Sequence, residues 1–184
     1  MTYAVTGEKQ LALKYLKLAV QADPDDPYAS AMLGWLAYLD GRAEEALEFY
    51  RIADKVEPYS SKIHLQMGLA FAKLNRWPDA TESFTKAVAI QPKAANANLG
   101  MSEALRHTGK PSESLKYALR AVHLTPNDDP EVLMNLAEAF ANVGKWNEAV
   151  QTAEKALAVA QQPQVTTSIR IRLDELRTRR QKSR

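Results

Sequence analysis

The chain repeats itself every 34 residues, and that period decides what it can fold into. Ala19, Ala53, Ala87 and Ala121 stand 34 apart, with Ala156 at 35, and Ala12, Ala46, Ala80, Ser114 and Ala149 run parallel to them seven residues earlier. Pro24, Pro58, Pro92 and Pro126 close successive units. Gly7, Gly41, Gly109 and Gly144 mark a turn inside each unit, and Asn75 stands in for the missing glycine. Asn is the expected substitute because it tolerates the left-handed backbone angles that Gly adopts freely. Only the loop Asn127 to Pro130 adds a residue. A unit this short cannot bury its apolar face alone, so units of this kind stack on their neighbours.

Each unit reads as two helices. In the first, a large apolar residue precedes a small one, at Leu33-Gly34, Met67-Gly68, Met101-Ser102 and Leu136-Ala137. Small side chains there let a neighbouring helix approach closely. In the second, the alanines seven residues apart face the same way, two turns apart. Asp26-Pro27, Asp129-Pro130 and Trp77-Pro78-Asp79 put Pro where a helix begins and its missing N–H costs nothing.

This pattern of Leu-Gly, Ala, aromatic, Ala and Pro resembles the tetratricopeptide repeat family, and it covers about residues 1–162. The stretch Leu33 to Pro58 carries nearly the whole signature. Tyr50 and Phe84 occupy the family's aromatic site in the second helix, whereas Leu16, Ala118 and Ala153 depart from it. The resemblance implies an all-α fold, a right-handed α-solenoid of antiparallel helix hairpins. Its units are a partial repeat at 1–26 and repeats at 27–60, 61–94, 95–129 and 130–162, followed by a capping helix and basic tail at 163–184.

The two ends differ from the middle. Before Pro27 lies one second helix, Glu8 to Ala22, with only Thr2 to Thr6 to represent its partner. A repeat lacking most of a helix leaves apolar surface uncovered, so the expectation is a piece of a longer array, with a shortened cap as the alternative. After Pro163, Val165, Ile169, Leu173 and Leu176 fall at helical spacing, giving an amphipathic helix able to cover the last hairpin. Beyond it TRRQKSR is expected to fray. From Gln164 onward there are seven basic and two acidic residues, although the net charge of the whole is only +2, so the remaining body is mildly acidic. No aromatic residue interrupts the basic run, which argues against nucleic acid as a partner, and a solvated cap end is preferred to contact with acidic lipid.

Little in the sequence points to chemistry. There is no cysteine, which removes disulfides and thiolate metal sites. His64, His107 and His123 lie in different parts of their units and form no ligand set, and no HExxH, Gly-rich phosphate loop or nucleophile elbow is present. No enzyme activity, cofactor or metal is expected. Trp77 and Trp146, two residues after the turn, are read as packing. No apolar run approaches the roughly 20 residues of a membrane span, and the N-terminus lacks a signal-peptide pattern. Cytosol and periplasm both stay open, with the cytosol the working expectation.

What remains is a surface. The helix Tyr28 to Leu39 carries two apolar stripes: Leu33, Leu36 and Ala37 form one, while Tyr28, Met32, Trp35 and Leu39 form another roughly opposite. The family resemblance implies that first helices line a concave groove for a peptide or a partner's helix. By register the lining is Tyr28, Met32, Trp35 and Tyr38, then Lys62, Gln66, Leu69 and Lys73. The next two units supply Asn96, Leu99, Glu103, Arg106 and His107, then Glu131, Met134, Asn135, Glu138 and Asn142. The clamp by which some relatives hold acidic chaperone tails needs Lys, Asn, Asn, Lys and Arg. Neither Ala31, Trp35, Gln66, Asn96 and Gly100 nor Leu65, Leu69, Gly100, Glu131 and Asn135 supplies it. The asparagine ladder of sugar-transferring relatives is absent as well, since Met32, Gln66, Gly100 and Asn135 include one Asn. The expectation is a non-catalytic scaffold for a protein or peptide, with Trp35 and Tyr38 as anchors. The alternatives are a docking region of a larger enzyme, such as a membrane glycosyltransferase, and self-association through the N-terminal face.

Overall fold

The computed structural model describes the backbone of residues 2–183 and the side chains of residues 8–183. Among the described residues the elements are ten helices. They run α1 (Thr2–Ala22), α2 (Pro27–Leu39), α3 (Ala43–Val56), α4 (Ser61–Lys73), α5 (Trp77–Ile90), α6 (Ala95–His107), α7 (Pro111–Leu124), α8 (Pro130–Asn142), α9 (Trp146–Val159) and α10 (Pro163–Lys182). The fold is an all-α solenoid of antiparallel hairpins, α2/α3, α4/α5, α6/α7 and α8/α9. It divides into two compact units, Met1–Ile90 with α1 to α5 and Gln91–Arg184 with α6 to α10. None of the described helices is long and apolar enough to cross a membrane.

Local chemistry sets the helix ends. Asp26 caps α2 by accepting from the backbone N–H of Tyr28 at 2.9 Å and Ala29 at 3.0 Å, and Asp129 caps α8 in the same way from Glu131 at 2.8 Å and Val132 at 3.1 Å. Each such cap contributes about 1 kcal/mol, and the prolines that follow start the helix at no cost in hydrogen bonds. The inner turns are closed alike. Gly41, Asn75, Gly109 and Gly144 take φ of 82°, 59°, 74° and 79°. The next residue's N–H then reaches back to the carbonyl of Ala37, Phe71, Leu105 or Phe140 at 2.9 to 3.0 Å. That back-bond satisfies a carbonyl which the helix end would otherwise leave open. Asn127, in the loop with the extra residue, also has positive φ, at 67°.

The two helices of a hairpin meet at one tight crossing. A Cβ added to Gly34 would lie 2.6 Å from the Tyr50 ring, and one added to Gly68 would lie 2.6 Å from the Phe84 ring. Tyr50 and Phe84 are 0% and 1% exposed. In the later hairpins both partners change together. Where Ala118 and Ala153 replace the aromatic, Ser102 and Ala137 replace the glycine, and all four are buried. Ser114 donates its hydroxyl to the Ser102 carbonyl at 2.8 Å, so the extra polar atom is satisfied. Burial pushes the Tyr50 phenol well above its ordinary range, and its oxygen has no hydrogen-bond partner.

A second recurring contact ties each first helix to the loop before it. His64 Nε2 donates to the Pro58 carbonyl at 2.8 Å, and Asn98, 34 residues on, donates to Pro92 at 3.0 Å and Ala94 at 2.8 Å. His64 is therefore a buried structural donor, with Asp54 Oδ1 3.4 Å from its Nδ1.

The ends correct two expectations. Gly7 marks no turn: α1 runs unbroken from Thr2 to Ala22. TRRQKSR is not frayed over its whole length, because α10 continues to Lys182. Thr178 donates to the Asp174 carbonyl at 2.9 Å, and Arg179, Arg180 and Lys182 suit the negative end of the helix dipole. Ile169, Leu173 and Leu176 bury themselves with Met134, Ala137, Val150 and Ala153 in one cluster, so α10 covers the last hairpin. At the other end Ala12 of α1 is exposed, although its counterparts Ala46, Ala80, Ser114 and Ala149 are each 0% exposed. Leu11, Tyr15 and Leu18 stand 52%, 62% and 49% open to solvent beside it.

The crossing yields a prediction. Gly34→Ala and Gly68→Ala should each destabilise the protein by about 1–3 kcal/mol, because overpacking outweighs the ~1 kcal/mol that Ala gains over Gly in a helix. Pairing Gly34→Ala with Tyr50→Leu should cost less than the sum of the single changes. Urea denaturation midpoints measure both.

Candidate partner-binding faces

In the first unit, α2 and α4 present the aromatic face. Trp35 and Tyr38 lie one turn apart on α2 and stack, with ring centroids 5.4 Å apart and planes 18° from parallel. Both are half-buried with Met32, and Tyr28 is 69% exposed. Lys73 of α4 reaches across. Its Nζ sits 4.6 Å above the Tyr38 ring and donates to the Tyr38 carbonyl at 3.0 Å. That makes Lys73 a brace for the tyrosine. The stack is thereby held in one orientation. Lys62 is exposed and Leu69 half-buried, whereas Gln66 is only 7% exposed and its Oε1 has no hydrogen-bond partner. Next to this face, hydrogen bonds from Lys9 and then Arg42 hold the Asp40 carboxyl below its ordinary range.

In the second unit the face is polar and comes from three helices. Arg106 of α6 lies 3.4 Å from Glu138 Oε2 of α8 and 3.9 Å from Glu103. Arg172 of α10 donates to Glu138 Oε1 through Nε at 2.8 Å and through a terminal nitrogen at 2.6 Å, and reaches Glu131 at 3.3 Å. Both oxygens of Glu138 are thus engaged by arginines on two other helices. Asn96, His107, Glu131 and Asn142 are exposed, while Leu99, Glu103 and Asn135 are half-buried. Asn135 Oδ1 is covered and has no hydrogen-bond partner. Burial, then the Arg106 charge, hold the His107 imidazole below its ordinary range. Met134 corrects its sequence reading: it is 0% exposed, because α10 covers the side of α8 that carries it.

The sequence reading missed what α10 adds. Arg106, Met134, Glu138 and Asn142 line a cleft of about 220 Å³ together with Arg172, Glu175, Leu176 and Arg179. A usable signal existed. Arg172 lies 34 residues after Glu138, at the position held in earlier units by Trp35, Leu69, Glu103 and Glu138. Carrying the repeat past Pro163 would have placed it on this face. Trp146 packs half-buried against the last cluster, with the Arg179 guanidinium 5.1 Å from its ring, and Trp77 is half-buried at the start of α5. Among the described residues no group of three His, Cys, Asp or Glu side chains is placed to hold a metal ion.

Stacked helix hairpins that expose side chains of their first helices define a repeat scaffold of the protein-interaction class. Tetratricopeptide repeat family models match residues 2–60, 65–129 and 132–165, and the chain belongs to that family. It is 26% identical over 165 residues to the tetratricopeptide repeat-containing protein trd-1 of Caenorhabditis elegans, covering 85% of this chain and 20% of that protein. It is 27% identical over 166 residues to the human protein O-mannosyl-transferase TMTC3, covering 81% of this chain and 18% of that one. The chain therefore spans about a fifth of the length of these curated relatives. Among solved structures it is similar to YrrB, described as a TPR protein with an unusual peptide-binding site. The TM-score is 0.72 at 16% identity, over 91% of this chain and 86% of that one.

The Arg172 contact can be tested through stability. Arg172→Ala leaves a mostly covered Glu138 carboxylate with one long ion pair and should cost about 1–2 kcal/mol, less than a fully buried pair because solvent reaches part of the site. Arg172→Ala combined with Glu138→Gln should recover part of that loss. Chemical denaturation of the three variants provides the comparison.

Proposed function

We propose that this chain is a non-catalytic scaffold whose first-helix faces bind a peptide segment or helix of another protein. The observation that carries the reading is the Trp35–Tyr38 stack, half-buried and held by Lys73. Trp and Tyr bury much area with few rotors, so a braced pair of them is the kind of surface that supplies most of an interface's binding energy. The likeness to YrrB supports the reading at the level of the fold. Replacing Trp35 and Tyr38 together with Ala should weaken partner capture by on the order of 2 kcal/mol, roughly 30-fold in Kd, with unchanged far-UV circular dichroism. The experiment is a pull-down with the intact array, followed by titration of the captured partner. Unchanged affinity in the variant would remove these residues from the interface.

Two alternatives have an observation each. The bare apolar face of α1, with Leu11, Tyr15 and Leu18 exposed, favours self-association. Sedimentation velocity over a concentration series should then show a dimer that Leu11→Lys with Leu18→Lys abolishes. The match to a fifth of an O-mannosyl-transferase favours a docking region within a longer enzyme, which the coding sequence upstream of Met1 decides.

A further inference from the structure

One slot of the repeat occurs filled in one unit and open in the other. It lies where the end of a second helix meets the loop that leads into a first helix. In the second unit the slot is filled from within: Arg120 of α7 donates to the Pro92 carbonyl at 3.4 Å, and that carbonyl also accepts from Asn98 at 3.0 Å. The Arg120 guanidinium stands 5.7 Å from the Tyr117 ring. In the first unit the residues 34 positions earlier are Lys86, Pro58 and His64. Here the slot is a cavity of about 360 Å³, with Asp54, Pro58, Tyr59, Lys86 and Ile90 in its wall. His64 takes the part of Asn98 and donates to the Pro58 carbonyl at 2.8 Å, which leaves the carbonyl's second lone pair for another donor. Lys86 does not take the part of Arg120. It pairs instead with Glu82 at 2.9 Å, whereas the residue 34 positions after Glu82 is Lys116, which offers Arg120 no such partner.

We propose that the open slot is a receptor for an arginine side chain of another polypeptide, whose guanidinium takes the place that Arg120 takes in its own unit. The fork donates to the Pro58 carbonyl and to the carboxylate of Asp54, whose side chain is 29% exposed. In the filled slot the place of Asp54 is held by Val88, so the open slot offers a guanidinium a negative charge that Arg120 does not find. Tyr59, 86% exposed, supplies a ring to stack on, while Ala89 and Ile90 cover the methylene stem. Arg suits these partners better than Lys, because a planar fork reaches two acceptors at once and an ammonium is a point charge. Lys86 opposes a cation at the rim, and its pairing with Glu82 reduces that opposition. The slot shares no residue with the Trp35–Tyr38 face, so it goes beyond the reading given above and does not depend on it.

The test follows the His64 imidazole and Tyr59 ring resonances of the full-length protein by NMR during titration with three N-acetyl amino-acid methylamides. The arginine derivative carries the guanidinium, the citrulline derivative is its neutral isostere, and the lysine derivative carries the charge without the fork. The expected result is saturable shifts with arginine at a Kd of about 1–10 mM, the range open to so small a ligand. Lysine should bind at least about 3-fold more weakly, and citrulline should not saturate. Tyr59→Ala should weaken arginine binding about 3-fold and Asp54→Asn about 10-fold. Because Asp54 also lies beside His64, a second variant leaves both in place: Glu82→Gln with Lys86→Arg rebuilds the arrangement of Arg120 and should abolish binding by filling the slot from within. Far-UV circular dichroism confirms that each variant is folded. Shifts that do not saturate, citrulline or lysine binding as tightly as arginine, or Asp54→Asn and Tyr59→Ala variants that bind like the parent would each overturn the proposal. The variant lacking Trp35 and Tyr38 should bind the arginine derivative unchanged, so failure of the slot and failure of the aromatic face are read separately.

Discussion

Everything in this chain rests on how closely two helices of a hairpin can approach. The distance is set by a pair of positions, one on each helix, whose volumes are exchanged from hairpin to hairpin. Gly34 and Gly68 accept the rings of Tyr50 and Phe84, while in the later hairpins Ser102 and Ala137 stand at the glycine positions and Ala118 and Ala153 at the aromatic ones, all buried. The aromatic hairpins are packed by one large side chain in a notch, the others by several small ones. Because interiors are close-packed, changing one member of a pair is felt at once, whereas changing both can be absorbed. The crossing also aims the first helix, and so decides which of its residues reach solvent.

The repeat made most of the architecture legible. Period, turn glycines, the Asn75 substitution and helix-starting prolines all reappear as hairpins, positive φ values and caps. Gly34, Ser102, Tyr50 and Ala118 were visible too, but their exchange of volume was not, because a sequence shows spacing and not which side chains oppose each other. Gly7 misled for a related reason. A glycine in register implies a turn only if the backbone has something to fold back onto, and α1 continues through it. Fraying is the expectation for TRRQKSR, whereas the helix dipole and the Thr178 hydrogen bond act in the opposite direction.

The surface was less legible than the core. Tyr28, Trp35, Tyr38 and Lys73 could be named by register, but the contact of Lys73 with the Tyr38 ring and carbonyl could not. Met134 could not be separated from its exposed neighbours, because the helix that covers it was treated as an appendage and not as the next first helix. The polar faces depend on long side chains whose partners lie on other helices, and periodicity carries no record of such pairs. Those are the contacts for which coordinates add most.

The link between Arg172 and Glu138 makes the cap and the polar face of α6 and α8 parts of a single equilibrium. Any molecule that competes for Glu138 draws Arg172 away from it and weakens the hold of α10 on the last hairpin. Any molecule that leaves Glu138 to Arg172 and binds beside it favours the docked helix. By reciprocity, whatever loosens or secures α10 changes affinity on that face by the same factor. The last helix of this protein is in that sense a thermodynamic reporter of what occupies the surface beside it.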